Sequence, residues 1–568
     1  MEKEEYEAQI KALKEEIELL KKKQTYEIKR QKYGLNWIDV PEAFEKDSEN
    51  KIPVLEEVKE KSIKNNDGKP THILIEGDNY HALQCLNYTH KGKIDVIYID
   101  PPYNTGKEFV YKDARFLDKY PDGSLVDSNH PLKHSYWLSF MEKRLKLAKN
   151  LLSDKGVIFI SIDDCEQANL RLLCDSIYGE KNFITQICWQ SLDTIKNDAK
   201  YFSDNHEYIF VYSKDKLKTK IQGIKKGEKQ KAYYKNYDND PRGAYLLTPL
   251  HAKSGTENNI YSFIFSNGQE WTPPAGTFPR FSVETLMKLD KENRLYLDPD
   301  CINVPQKKTY LSEVGDRMPP TSFWDYSQYG STRQSNNELS TVIGKGHFQN
   351  PKPTKLITSL IDIIEANSNS TILDFFAGSG TTLHATMKLN EEDGGNRQCI
   401  LVQLNENNIC EEVTYERNRR VMQGYTNSKG EQIPGLGNSL KYYKTAFIGQ
   451  NNCKNANDDD RTELAKKAGC LLSLGENTLD EICSTEYYQL FTGSKEATAV
   501  YFTDDYEKFD EFKEKVAELA PKFKKTFVYI FAWSSADDFA YEFEDIPNIQ
   551  IKAIPLPILE IYKSIYNG

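Results

Sequence analysis

Apolar positions along this chain fall into two kinds of pattern, and their alternation predicts an α/β fold. Short continuous runs occur at Ile73-Leu74-Ile75, Ile94 to Ile99, Val157 to Ile162, Ile372 to Phe375 and Cys399 to Leu404. Runs of this length, rich in β-branched residues, predict strands buried on both faces. Stretches with helical spacing lie between them. Tyr136 to Leu152 puts Leu138, Met141, Leu145, Ala148 and Leu152 on one face, and Asp154-Lys155-Gly156 reads as the helix stop. Ile357 to Glu365, and the stretch ending near Leu389, read as further helices. Strands and helices in this alternation predict a parallel, doubly wound sheet.

The pattern changes at both ends and in the middle. Tyr6, Ile10, Leu13, Ile17 and Leu20 recur at alternating four- and three-residue steps, flanked by Glu and Lys. This heptad seam predicts an exposed helix from about Glu4 to Ile28, packed on its own domain or on a second copy as a dimer contact. From Thr194 to Leu339 there are aromatics, prolines and glycines but no long helical pattern. A polar linker, Gln450 to Asp460, precedes a strand at Ala499–Phe502, a helix at Tyr506–Leu519 and a strand at Thr526–Phe531. The expected domains are an N-terminal helix (1–33), an α/β domain in two halves (34–193 and 341–449) around an insert (194–340), and a C-terminal α/β domain (460–568).

Composition narrows the class. With 568 residues, 39% hydrophobic and 28% charged, the chain is too long for one core. No apolar stretch approaches a membrane span, and the charged N-terminus does not read as a signal peptide. The ten cysteines show neither Cys-x-x-Cys nor zinc spacing, so reduced thiols in a cytoplasmic protein are expected. The net charge of −11 argues against a wholly basic nucleic-acid binder, although binding depends on local patches. One such patch is Lys214 to Arg242, where Lys225, Lys226, Tyr233, Tyr234, Lys235 and Arg242 are candidate DNA contacts. A solvated loop explains the same charges equally well.

Two motifs carry candidate chemistry. Asp100-Pro101-Pro102-Tyr103 ends the Ile94–Ile99 run, because two prolines cannot continue a strand. A carboxylate, proline carbonyls and an aromatic ring are thereby left at the edge where α/β sheets bind ligands. Asp100 suits an exocyclic amino group, and Tyr103 suits stacking on a base. A simple turn after a core strand is the competing reading. Gly378-Ser379-Gly380 lies between a strand and a helix, where glycines admit a ligand to the backbone and the helix offers N–H groups to an anion. It is not a Walker loop. Glu406, beyond the next strand, is a candidate for ribose hydroxyls. A nucleotide or S-adenosylmethionine fits this turn. Asp163-Asp164 reads as a helix cap rather than a metal pair, and Asp238-Asn239-Asp240 lacks the remainder of a calcium loop, so no metal is expected.

Taken together, these stretches resemble a known family. Asp374 to Thr382 is similar to the cofactor motif of S-adenosylmethionine-dependent DNA amino-methyltransferases, and Asp100 to Tyr103 to their catalytic motif. The catalytic half comes first, which resembles the β class of adenine methyltransferases. Closer still is the modification (Mod) subunit of type III restriction–modification systems. Ile99 to Gly106, Asn236 to Gly243, Phe348 to Pro353 and Asp374 to Thr382 carry this resemblance, which covers about Ile73 to Lys444.

The resemblance implies a Rossmann-like methyltransferase sheet with an inserted target-recognition domain. It implies catalytic roles for Asp100, Pro101, Pro102 and Tyr103. It implies S-adenosylmethionine contacts from Asp78, Asn79, Asn350, Lys352, Asp374, Phe375, Phe376, Gly378, Gly380, Thr381 and Thr382. The strand His206 to Phe210 is implied to help wall a flipped base. The expected function is methylation of an adenine amino group in double-stranded DNA, by a homodimer that can associate with a restriction (Res) subunit. Methylation of the cytosine amino group, a catalytically silent DNA-recognition subunit and an RNA methyltransferase are the alternatives. Asp100 favours adenine, since the cytosine relatives tend to carry Ser there.

Overall fold

The computed structural model describes residues 51–105, 133–364 and 368–566, with breaks at 198, 257–259, 299–303, 428 and 534–535, together with the short strands Ile28–Arg30 and Asn36–Ile38. The heptad seam and Gly106 lie outside the described residues. The chain divides into two compact units, one formed by residues up to 220 with 321–568, the other by Ile221–Pro320.

The first unit is organised by a ten-stranded sheet. Its strands in chain order are β1 (Ile52–Glu57), β2 (Thr71–Glu76), β3 (Ile94–Ile99), β4 (Leu152–Ile162), β5 (Phe183–Trp189), β6 (Glu207–Ser213), β7 (Phe323–Trp324), β8 (Thr371–Asp374), β9 (Gln398–Gln403) and β10 (Ser439–Ile448). They lie in the spatial order β7-β5-β6-β4-β3-β8-β9-β2-β10-β1. From β4 through β3, β8, β9 and β2 to β10 every neighbour is parallel. Apolar runs buried on both faces build this centre, as their composition predicts. The sheet is nevertheless mixed, not wholly parallel. Strand β6 is antiparallel to both β4 and β5, and β1 is antiparallel to β10.

Between the strands run α1 (Asn79–Thr89), α2 (Lys133–Leu151), α3 (Gln167–Cys174), α4 (Thr332–Ile343), α5 (Thr354–Asp362), α6 (Thr381–Asp393) and α7 (Glu416–Gln423). Leu152 is not on helix α2, as the spacing predicts, but opens β4, where it pairs with Ile94. Asp154-Lys155-Gly156 therefore lies within the strand rather than stopping the helix. Gly156 is needed there because a Cβ would meet the Ile94 carbonyl oxygen at 2.8 Å. The Asp163-Asp164 pair does not cap α3 either. Its N-cap is Glu166, and Asp163 accepts a bond from the Cys165 amide.

A second sheet, of five strands, spans Asp480 to Ile554. It has its own cluster around Tyr501, Phe512 and Ile530. Its other face does not stand alone as a domain from 460 onward. Leu471, Phe531, Ile558 and Tyr562 share one core with Ala82, Leu83 and Cys85 of α1.

The second unit is narrower than the expected 194–340 insert, since β6 and α4 belong to the first. It holds a three-stranded sheet, the helix Val283–Lys291 and a core of Leu250, Phe265, Trp271, Leu286 and Leu295. Among the described residues, no helix is long and apolar enough to cross a membrane, and no group of three His, Cys, Asp or Glu side chains could hold a metal. The described cysteines are free thiols.

Candidate active site

Strands β3 and β8 are parallel neighbours, registered as Val96 with Ile372 and Ile97 with Leu373. From β3 the chain proceeds to β4 on one side, and from β8 to β9 on the other. Their carboxyl ends therefore flank a topological switch point, where α/β sheets leave a crevice. A cavity of about 610 Å³ opens there, a size suited to a cofactor-scale ligand. Residues 274 positions apart in sequence, Asp100 and Asp374, line the same space.

On the β3 side, Asp100 is half-buried and its carboxylate is heavily used. Lys352 Nζ donates to both of its oxygens, at 2.8 and 2.7 Å. The Tyr103 hydroxyl donates to Oδ1 at 2.6 Å. Both donors also reach Glu207, the first residue of β6, at 3.0 Å from Tyr103 and 3.3 Å from Lys352. Burial opposes the Lys352 charge, but Asp100 and Glu207 outweigh it and raise the pKa. Burial, reinforced by the same two carboxylates, drives the Tyr103 phenol far above its ordinary value, so it stays a donor. Of the two proline carbonyls, that of Pro102 accepts the Trp137 indole N–H at 2.6 Å. Only Pro101 remains as a carbonyl candidate beside Asp100, which narrows the expectation that both are exposed.

Asn104 follows in the left-handed region, at φ +58°. Its amide donates to the fully buried Glu166 carboxylate at 2.5 Å, and His134 and Asn169 bond the same group. Glu166 thus fixes the chain just after the motif.

On the β8 side, Asp374 is buried. It accepts the Thr382 hydroxyl at 2.5 Å and the Phe376 amide at 3.0 Å. Burial pushes its carboxyl up to about 7 despite those bonds. Gly378 and Gly380 have φ +51° and +71°. At Gly380 a Cβ would meet the Asn418 amide at 2.3 Å, so no side chain fits beneath the turn. Gly378, Ser379, Thr381 and Thr382 face the cavity at the start of α6. Gly380 itself is not in the lining; it shapes the turn.

The structure sorts the other expected residues. Asn79, Phe375, Phe376, Asn350 and Lys352 line the cavity, Lys352 with its ammonium on Asp100 rather than at the glycine turn. Asp78 does not. It caps α1 by accepting the Tyr80 amide at 2.6 Å and sits 3.6 Å from the buried Arg144. Glu406 does not line the cavity either, whereas its neighbour Asn407 does. In the second unit, Arg242 is turned inward. It forks onto Asp240 at 2.9 and 2.8 Å and bonds the Glu292 and Asn293 carbonyls, so it staples that unit rather than presenting a cation. Lys226 bonds the Gly315 carbonyl. Lys225, Tyr233 and Lys235 are exposed, and Tyr234 is half-buried.

Three residues of the site escape the sequence reading. Glu207 lies in the stretch His206 to Phe210, expected to wall the base but not to bond the donors on Asp100. Phe348, 3.2 Å from a Cβ placed on Gly378, lies in a motif noted only for its Asn and Lys. Arg417 sits in Glu416-Arg417-Asn418-Arg419-Arg420, a polar run to which the sequence assigns no role, yet it is fully buried behind the glycine turn.

Comparison with known proteins adds an independent line. A family model described as DNA methylase matches residues 94–416. The StyLTI Mod subunit of a type III restriction-modification enzyme from Salmonella typhimurium is 35% identical over 374 residues, 61% of this chain and 55% of that one. The EcoPI Mod subunit of Escherichia phage P1 is 32% identical over 67% of this chain and 65% of its own. The type II methyltransferase M.KpnI of Klebsiella pneumoniae is 31% identical over 66% of this chain and 90% of its own. The chain therefore spans about half to two-thirds of the length of the Mod subunits it matches.

Proposed function

The chain belongs to the DNA methylase family matched over residues 94–416, and from that premise we propose that it methylates an exocyclic amino group of a flipped base, adenine, in double-stranded DNA. One observation carries this reading: Asp100 and the glycine turn after Asp374 end adjacent parallel strands and open on one cavity.

S-adenosylmethionine is the proposed methyl donor, and the residues suit it. The Gly378 and Gly380 amides are held by Gln403 and the Ala377 carbonyl, so the backbone donors to a carboxylate are the first amides of α6. Asp100, and Asp374 once ionised, supply carboxylates to a cavity that would hold a sulfonium. Asn79, Asn350 and Thr381 add polar lining. When bound, the donor supplies an electrophilic methyl group.

The chain's own residues then do the orienting. Asp100 accepts one amino N–H and the Pro101 carbonyl the other, which turns the nitrogen lone pair toward the methyl group. Tyr103 and Phe376 supply apolar walls. Holding two reactants in line accounts for much of the acceleration in such a reaction. Taking the base from the duplex costs about a few kcal/mol, recovered in the pocket. The relatives named as Mod subunits of type III restriction-modification enzymes support a restriction (Res) subunit as a partner.

The test is direct. The protein is incubated with labelled S-adenosylmethionine and genomic DNA, and the digested nucleosides are identified. N6-methyladenine supports the reading, and N4-methylcytosine replaces its base. No label in DNA, with wild type equal to Asp100→Ala, overturns it.

A further inference from the structure

Three of about four acceptor positions on the Asp100 carboxylate are taken in this structure, two by Lys352 and one by Tyr103. A neutral amino N–H is a weaker donor than an ammonium, so while Lys352 spans both oxygens the base finds at most one poorly competing position on Asp100. Both donors, however, already touch a second acceptor. Glu207 Oε2 lies 3.0 Å from the Tyr103 hydroxyl and 3.3 Å from Lys352 Nζ. The Lys352 amine is itself 2.9 Å from the Tyr103 oxygen, so the two move as a pair. Glu207 is held by β6, paired through Tyr208 with Ile162 and directly with Trp189, and does not depend on a loop for its position.

We propose that Glu207 is a positioning residue that receives the Lys352 ammonium and the Tyr103 hydroxyl when the target amino group reaches Asp100. This rests on the methyl-transfer reading above. The exchange is short: the ammonium passes from one carboxylate to its neighbour by a shift smaller than an ångström, and Asp100 takes the base's amino N–H in its place. Its effect is to vacate Asp100 oxygens for the base. With no base present, the same lysine keeps Asp100 and Glu207 from facing each other uncompensated. Glu207 thus sets how readily the site accepts its base, while the cofactor surfaces at the glycine turn are untouched.

The test compares wild type, Glu207→Gln, Glu207→Asp, Lys352→Met and the Glu207→Gln/Lys352→Met double variant. Single-turnover transfer of label from S-adenosylmethionine to DNA and the dissociation constant for S-adenosylmethionine are measured on each. The expected result is that Glu207→Gln slows transfer about tenfold, because Lys352 stays on Asp100, while cofactor affinity stays within twofold. Glu207→Asp restores most of the rate. The double variant is no slower than Lys352→Met alone, since without the ammonium there is nothing for Glu207 to receive. Glu207→Gln matching wild type, or the two losses multiplying independently, overturns the proposal. A wild type that places no label in DNA refutes the underlying reading itself.

Discussion

Arg417 holds Ser379 from behind. The guanidinium is fully buried and donates to the Ser379 carbonyl at 3.3 Å and to its hydroxyl at 3.1 Å. It also donates to the Thr381 hydroxyl at 2.7 Å. One side chain on α7 therefore shapes the glycine turn through three oxygens. Glu338 on α4 stands 3.9 Å from the same guanidinium. Burial opposes the Glu338 charge, and Arg417, ahead of His384 and Lys388, overcomes it, holding the carboxyl down at about 2.

All three bonds come from Nη1, while Nη2 faces Glu338. A lysine, with one nitrogen, cannot hold the turn and face Glu338 at once. Arg417→Lys should fold, lose on the order of 1–3 kcal/mol of stability, and bind S-adenosylmethionine about tenfold more weakly. Arg417→Met should lose about 3 kcal/mol or more, since it strips buried oxygens and Glu338 of a partner. Thermal denaturation and calorimetric titration of the cofactor read both. Unchanged cofactor affinity in Arg417→Lys would remove the turn-shaping role.

Arg417 also shows where the sequence stops being legible. The apolar runs carry the strands, because burial on both faces of a parallel sheet leaves a mark at every position. The Asp-Pro-Pro-Tyr and Gly-Ser-Gly motifs are equally plain, since each breaks a strand with residues chosen for backbone reasons. Side chains that act at a distance leave no such mark. Arg417 is one charge among five polar residues, and Glu207 is the polar start of an ordinary strand. Their partners, Ser379 and Asp100, come from elements that only the sheet order brings near. The antiparallel direction of β6 is likewise invisible to periodicity, because the strand is buried much like its parallel neighbours. Arg242 misleads for the opposite reason: a basic run does not reveal which of its members a buried carboxylate such as Asp240 has already claimed.

Asn104 joins a backbone requirement to a side-chain bond, and two substitutions separate them. Asn104→Gly keeps the left-handed conformation but loses the bond to Glu166. Asn104→Ala loses both, and should be less stable than Asn104→Gly by about 1 kcal/mol. Methyl transfer should fall in each, because the bond to Glu166 anchors the segment following Tyr103. Chemical denaturation and transfer assays give the comparison. Full activity in Asn104→Gly would show that the anchor is dispensable.

Asp374 should give stability a distinctive pH dependence. Burial raises its carboxyl to about 7 in the folded chain, against an ordinary value of 3.8. Between those values the folded chain keeps a proton that the unfolded chain has released. This group's contribution therefore makes stability fall as pH rises from about 4 to about 7. His72, which burial lowers to about 4, works the other way, losing stability as pH falls below 6.5. The difference between wild type and Asp374→Asn isolates the first effect. Asparagine keeps an acceptor for the Phe376 amide but cannot ionise. The variant's advantage should be small near pH 4 and grow to a few kcal/mol by pH 7. A difference that is flat across that range would remove the assigned ionisation.

The last prediction concerns the C-terminal segment, which shares a core with the methylase sheet. The Tyr562 hydroxyl, buried, donates to the Pro53 carbonyl of β1 at 3.0 Å. Ile558, Leu559 and Tyr562 lie in one cluster with Ala82, Leu83 and Leu86 of α1, the helix whose first residue, Asn79, lines the cavity. Tyr562→Phe removes only the hydroxyl and should cost about 1 kcal/mol. Deleting 556–568 bares the apolar surface of α1, and each large buried side chain lost is worth about 1.5–3 kcal/mol. The deletion should therefore abolish soluble folded protein at growth temperature, while Tyr562→Phe stays active with a slightly lower melting temperature. A soluble, active deletion variant would show instead that the C-terminal segment is a detachable domain, and that α1 holds Asn79 in place without it.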